Sequence, residues 1–538
     1  MEFATSLVPP NPKNVECCRY PLSEQRVPGA TRPSLSALIS LFAFLVLASY
    51  VLLFHRLGDR DLVSSHEARA AQDAESILLD GRWDLPTLFD RRIELQKPPL
   101  YYWMVAAIAS ARGGDVDPVS VRLPAACSAL GGVSVIALFG LMVGRMRAGA
   151  IGAFALITML HYTWLGRVGR IDMALTFMTT VALAEFYLGY SALFGPRQGS
   201  ARRWLIPAYS AVGLALLLKG PIGIVLPAAV VGVFLFLERR LALPGKTIGW
   251  IKGARQLGLW WGVPLIILIA APWYLWVNVQ TDGAFFEVFF WKHNIERGLG
   301  GGALAAHPWW FYGPRLAVDL LPWSLVLPVA MLLSIRRGWW RSDPEARFGL
   351  VWLATILLIL SCSRFKRADY LLPAYPGAAL FLGCMLERSY LEAAHKKWIA
   401  GGFVSLMLCY TLGWNVYLSY RQPTPATGRD EIEFASEIRR RAPSPQLILF
   451  FRTEAHALAF HVGRPIDTIL EWENLDTWAA RPEIYHVVMP SEYANDWQNR
   501  LKKGRLKEIA RSGILGGSTH SDPLVLLRTH PEAESPVP

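Results

Sequence analysis

A chain of 538 residues that is 53% hydrophobic, contains 21 Trp and has a mean hydropathy of +0.29 carries more apolar surface than a water-soluble fold can hide. That composition excludes an ordinary soluble domain and predicts a polytopic membrane protein. The formal net charge of +12 does not indicate nucleic acid, because the basic residues gather in short connections between apolar runs, where topology accounts for them.

Residues 1–33 are polar and Pro-rich, with Lys13, Arg19, Arg26 and Arg32. The positive-inside rule keeps this tail in the cytoplasm and sends the end of the first apolar run, Leu35 to Phe54, outward. That run is too long for a signal-peptide core and reads as an uncleaved anchor. The loop 58–97 is then extracytoplasmic. Further runs of spanning length fall at about 121–143, 148–166, 172–194, 203–218, 220–237, 257–279, 309–334, 346–362, 369–387 and 397–418, which with the uncertain crossings predicts about 11–13 transmembrane helices. Alternate connections, from Arg145/Arg147 to the stretch Glu387 to Lys397, are Lys/Arg-rich and assign to the cytoplasm. Parity leaves Pro98 to Ala111 between two outer segments. About 14 residues suit an interfacial or re-entrant helix better than a full span, although an extra crossing would also repair the count.

The six cysteines imply no disulfide framework, and no CxxC metal spacing occurs. After Tyr420 the composition changes. A linker, QPTPATGRD, precedes a soluble-type segment in which Glu431 to Arg441 reads as an amphipathic helix. QLILFF, IYHVVM and PLVLLRT read as short buried strands. The expected domains are a tail at 1–33, a membrane domain at 34–420, an extracytoplasmic α/β domain at 421–530 and a disordered tail at 531–538.

The residues that could carry chemistry cluster on the outer loops. SHEARAAQDAESILLDG reads as a helix with His66 and Glu67 at its start, where the pair could bind metal, orient an acceptor or act as bases, or Glu67 could simply complement the helix dipole. LQKPPLYYW holds Lys97 at the membrane edge beside interfacial aromatics, within reach of a lipid phosphate. GRVGRIDMALTF places Arg167, Arg170 and Asp172 at the mouth of a span, and LLLKGPIGIVLP strands Lys219 between two apolar runs. Intramembrane ionisable groups are expensive, so such positions are functional candidates. FFEVFFWKHNIERG offers His293 as a metal ligand and Arg297 as a phosphate clamp. Arg364, Lys366, Arg367 and Tyr370 in SCSRFKRADY put three cations where the positive-inside rule makes cations scarce, which an anionic ligand would explain.

In order along residues 34–420, the segments HEARAAQ, GRWDLPTLF, QKPPLYYW, Arg-x-x-Arg-Ile-Asp at 167–172, LKGP, HNIER, LPWS at 321–324 and KRADYLLPAYP resemble the GT-C fold membrane glycosyltransferases. The branch they resemble contains the lipid A aminoarabinose transferases and the protein O-mannosyltransferases. The resemblance implies a polytopic all-α membrane fold with a small C-terminal α/β domain, a polyprenyl-phosphate-linked sugar as donor, and a lipid, glycan or protein acceptor at the outer face of the cytoplasmic membrane. It implies Lys97, Lys219, Arg297 and Lys366 with Tyr370 as binders of donor phosphate, Asp172 as a supporting or acceptor-side acid and His293 as a ligand of zinc. Two departures stand out: His66 replaces the acid of the family's first-loop Asp-Glu pair, and Gln96 replaces the Glu of its EKPP motif, the other metal ligand. Glu67, His66 or Glu94 then stand in as ligands of a divalent metal, or the enzyme works without one, with Glu67 or His66 as the first-loop base; no nucleotide cofactor is expected. The rival reading is a transporter or flippase of an anionic lipid or solute. It calls for half-helices and mid-membrane charge in related halves, and no internal repeat is found.

Overall fold

The structure, a computed structural model, describes residues 35–194, 199–238, 253–296, 307–393, 395–420, 426–513 and 523–530. The two tails, Arg297 and the side chain of His293 lie outside the described set.

Helix α1 (Leu35–Leu53) leads through a short loop to α2 (Ser65–Asp80), which ends at Gly81 with φ 67°. Alanines dominate the buried side of α2, together with Glu67, Asp73 and Ile77, so the helix packs closely while carrying polar groups inward. α3 (Leu100–Ala111) has 12 residues, about 18 Å of helix, short of the hydrocarbon thickness. α4 (Pro118–Met142) starts from a capping box in which Asp117 and Ser120 exchange side-chain and backbone bonds, with Pro118 in the first turn.

The run expected at 148–166 is two helices, α5 (Met146–Ile157) and α6 (Leu160–Leu165). α7 (Ile171–Phe194), α8 (Arg202–Lys219), α9 (Ile222–Leu237) and α10 (Leu259–Gln280) follow. The run at 309–334 is bent by 116° between its two halves. α11 (Tyr312–Asp319) and α12 (Leu327–Arg336) lie on either side of Pro322, whose missing N–H interrupts the helical ladder. α13 (Pro344–Cys362), α14 (Tyr375–Glu392) and α15 (Lys396–Tyr420) complete the bundle, and a 3₁₀ turn over Ala368–Ala374 occupies the start of the run placed at 369–387. Among the described residues, four helices are long and apolar enough to cross a membrane alone, the bent pair makes a fifth, and five shorter apolar helices join them.

Glycines set the closest helix contacts. A Cβ on Gly149 would lie 2.7 Å from the Gly140 Cα, and one on Gly383 would lie 2.2 Å from the Ala148 carbonyl. Small residues of this kind let helices associate where lipid offers no hydrophobic drive.

Beyond α16 (Ala426–Arg441) lies a five-stranded sheet of order β2-β1-β3-β5-β4, formed by β1 (Ile448–Phe451), β2 (Ile466–Ile469), β3 (His486–Pro490), β4 (Arg505–Arg511) and β5 (Leu524–His530). β1 pairs in parallel with β2 and β3; β5 runs antiparallel to β3 and β4. The sequence reading expected the three inner strands and missed β2 and β4, which are the edges. The charged edge strand β4 shows only a weak hydrophobic signal, as edges that avoid further pairing do. The sheet unit seats on the first loop. Arg464 binds the Asp80 carboxylate at 2.9 Å, Gln72 donates to the His456 carbonyl at 2.8 Å, and His461 meets the Leu62 carbonyl at 3.1 Å.

Candidate functional site

Lys219 ends α8 because Gly220, at φ 74°, turns the chain away. A Cβ there would meet the Phe289 ring at 2.3 Å, so the turn and the aromatic segment fix each other. The Lys219 ammonium bonds Asp172 in the first turn of α7 and lies 4.1 Å from the Tyr370 ring centroid. Arg170 stands 3.6 Å from the other Asp172 oxygen and binds Asp369 at 2.6 Å. Behind Asp369 the polar line continues through His161 at 3.4 Å to Asp319, which also receives Arg315 at 3.1 Å and the Tyr375 hydroxyl at 3.2 Å.

These groups border a cavity of about 370 Å³, within the size range of small-ligand sites. Its polar wall holds His66, Gln96, Lys97, Arg170, Asp172, Lys219, Asn294, Arg367 and Tyr370; its apolar wall holds Leu175, Ile222, Leu226, Phe289, Ile359 and Leu360. Four cations and one carboxylate therefore face one chamber, with a greasy flank beside them.

The structure brings Lys97, Lys219, Tyr370, Asp172 and His66 together. Lys97 makes no hydrogen bond or ion pair among the described residues, and burial, then the Arg69 guanidinium, pulls its ammonium down to about 8. Lys366 is a correction. It is 3% exposed and its ammonium is spent on the carbonyls of His307, at 3.1 Å, and Ser363, so it braces its own loop outside the chamber. Arg367 takes the place expected of it and meets His66 Nε2 at 2.9 Å. The guanidinium can only donate, so this imidazole nitrogen accepts and the proton rides on Nδ1.

Glu67 is a second correction. It is fully buried away from the chamber, bound by Arg122 at 2.7 Å and by the Gly169 N–H at 3.0 Å. Burial alone would raise its carboxyl; Arg122, Arg60 and the Gly169 N–H together outweigh burial and hold it below the ordinary value. Arg122 in turn ties the Leu57, Arg60 and Asp61 carbonyls, so the pair anchors the first loop to α4. His66 is no base either: burial, then Lys97, Arg170 and Arg367, push its imidazolium down to about 3.

The metal expectation meets the same obstacle. Among the described residues no three His, Cys, Asp or Glu side chains could hold an ion. Glu94 is held by Arg69 at 2.5 Å and by the Gln96 N–H at 2.7 Å, while Glu67 is held by Arg122. The first-loop donors are thus engaged with cations and do not fit a divalent metal.

Comparisons with known proteins bear on the fold. Residues 78–292 match the family model "Dolichyl-phosphate-mannose-protein mannosyltransferase". An undecaprenyl phosphate-alpha-4-amino-4-deoxy-L-arabinose arabinosyl transferase of Pseudomonas savastanoi pv. phaseolicola is 29% identical over 388 residues, covering 70% of this chain and 68% of that protein. The same-named protein of Pseudomonas paraeruginosa is 29% identical, with coverage of 68% and 63%. Among solved structures, ArnT from Cupriavidus metallidurans bound to undecaprenyl phosphate superposes with a TM-score of 0.73 at 19% identity, covering 92% of this chain and 98% of that one. The Archaeoglobus fulgidus oligosaccharyltransferase AglB, in complex with an inhibitory peptide and a dolichol-phosphate, gives 0.54 at 12% identity, covering 86% and 70%. The second arabinosyl transferase is matched over less than two thirds of its own length. These likenesses bear out the resemblance read from the motifs: the fold is GT-C, and the chain is a multi-pass membrane protein. Nothing among them supports a transporter.

Proposed function

We propose, from the premise that this chain is a GT-C membrane glycosyltransferase akin to the aminoarabinose transferases and protein mannosyltransferases, that it transfers a sugar from a polyprenyl-phosphate donor to a lipid, glycan or protein acceptor. The chemistry sits at the outer face of the cytoplasmic membrane. The observation that carries this reading is the convergence of Lys97, Lys219, Arg170 and Arg367, from four separate stretches of chain, on one chamber with an apolar flank.

The acceptor oxygen attacks the anomeric carbon, the bond from that carbon to the phosphate oxygen breaks, and the lipid phosphate departs with the electron pair. Lys97, which makes no ion pair among the described residues, and Arg367 stabilise the charge gathering on that phosphate, a task for fixed cations in a partly dry site. Lys219 and Arg170 hold Asp172, the carboxylate among the described lining residues, so that it orients the acceptor, and the acceptor's proton passes to the departing phosphate oxygen that has taken the electron pair. The isoprenoid chain lies along Ile222, Leu226 and Ile359.

The test is transfer of labelled sugar from polyprenyl phosphate by the purified full chain in nanodiscs. Turnover is expected, with loss in Lys97→Ala and Lys219→Ala. A correctly folded protein that neither binds polyprenyl phosphate nor transfers its sugar overturns the reading.

A further inference from the structure

The chamber's charge selects among sugars. Of its lining side chains among the described residues, Asp172 alone is acidic, and it is neutralised by Lys219 on one oxygen and faced by Arg170 on the other. The carboxylates just behind the wall are equally engaged: Asp369 with Arg170 at 2.6 Å, Glu94 with Arg69 at 2.5 Å. Asp73 is 0% exposed and outside the cavity wall. It sits beside the Tyr102 hydroxyl, and burial, then Glu94, raises its carboxyl well above the ordinary range, which favours the uncharged form. The chain from Arg297 to Ala306, which follows the aromatic segment, contains no Asp or Glu. Among the described residues Lys97 meanwhile makes no ion pair, and Arg367 faces a neutral imidazole and, at 3.7 Å, the already paired Asp369.

One phosphate entering with the donor offsets part of this excess; a second cation on the sugar would have no anion to meet and would be desolvated beside two fixed cations. We infer that the sugar carried by this donor is neutral or acidic, and that a sugar bearing an ammonium group is selected against. The inference rests on the polyprenyl-phosphate reading of the site and deepens it to a substrate class.

The experiment uses the full chain in nanodiscs and one polyprenyl phosphate carrying, in turn, a neutral hexose, a hexuronic acid, a 4-amino-4-deoxypentose, and that same pentose N-acetylated. Each donor competes at pH 7 against labelled polyprenyl phosphate. The free amine is expected to bind at least about tenfold more weakly than its N-acetyl form, or about 1.4 kcal/mol, although it is the smaller group. The neutral and acidic sugars are expected to bind at least as well as the N-acetyl form. His66→Asp and Gln96→Glu, which each add a carboxylate to the wall, are expected to narrow the gap. An amine that binds as well as its N-acetyl form overturns the inference while leaving the proposed transfer standing. Failure of polyprenyl phosphate itself to bind removes both.

Discussion

Lys219 at the end of α8 and Asp172 at the start of α7 close on each other across 47 residues of chain, with the Tyr370 ring laid beside the ammonium. The pair fixes the floor of the chamber, and each partner depends on the other. Lys219→Ala leaves Asp172 buried beside Arg170 alone, so transfer is expected to fall by about a hundredfold or more and the melting temperature to drop. The double variant Lys219→Met with Asp172→Asn is expected to recover the melting temperature without the rate, because no uncompensated charge remains. Initial rates and thermal melts of the three proteins check this, and a single variant that melts and turns over like the parent would contradict it.

Lys97 is expected to impose a pH limit on donor binding. Its ammonium is held down to about 8 by burial and Arg69, so the cationic form that meets phosphate is present below that pH and lost above it. Donor KM is therefore expected to rise between pH 7.5 and 9.5. Lys97→Arg, which stays charged throughout, flattens that rise, and the KM profile of the two proteins is the readout.

Arg367 and Lys366 are neighbours with different work. Arg367→Ala is expected to raise donor KM by about tenfold, in line with losing one charge-assisted contact to a phosphate. Lys366→Ala is expected to lower the melting temperature and leave KM within about twofold, because its ammonium serves the His307 and Ser363 carbonyls. The opposite pattern would place Lys366 on the donor.

Glu67 and Arg122 set the stability of the first loop. Glu67→Gln leaves a buried guanidinium uncompensated and is expected to cost about 3–5 kcal/mol. Glu67 is held below its ordinary value of 4.5, so its contribution is full above about that pH and fades as pH falls further. Thermal melts from pH 7 to 3.5 are expected to show a steeper loss in the parent than in Glu67→Gln.

Chelation is expected to leave transfer intact, because Glu67 and Glu94 are committed to Arg122 and Arg69. Rates before and after dialysis against a strong chelator decide it; loss restored by zinc would show that another donor set is in use.

What the amino-acid sequence determined by itself was whatever depends on local order: apolar run length, cation placement on alternating loops, and motifs such as QKPP, which opens a helix, and LKGP, which ends one, each beside a lysine. Those rules place most of the helices within a few residues and single out Lys97, Lys219, Asp172 and Tyr370, because a polar group in an apolar run is costly wherever the chain goes. The breaks at Thr158 and Pro322 and the edge strands β2 and β4 were not legible, since hydropathy averages over a bend and a polar edge strand carries little pattern. Tertiary structure alone decided the partner of each charge. Lys366 and Arg367 are adjacent and chemically alike, yet one turns to its own loop and the other to the chamber. Glu67 looked like a base until Arg122, 55 residues on, was found against it. An ion pair is made by whatever the packed helices bring within a few ångströms, and that distance is a property of the fold.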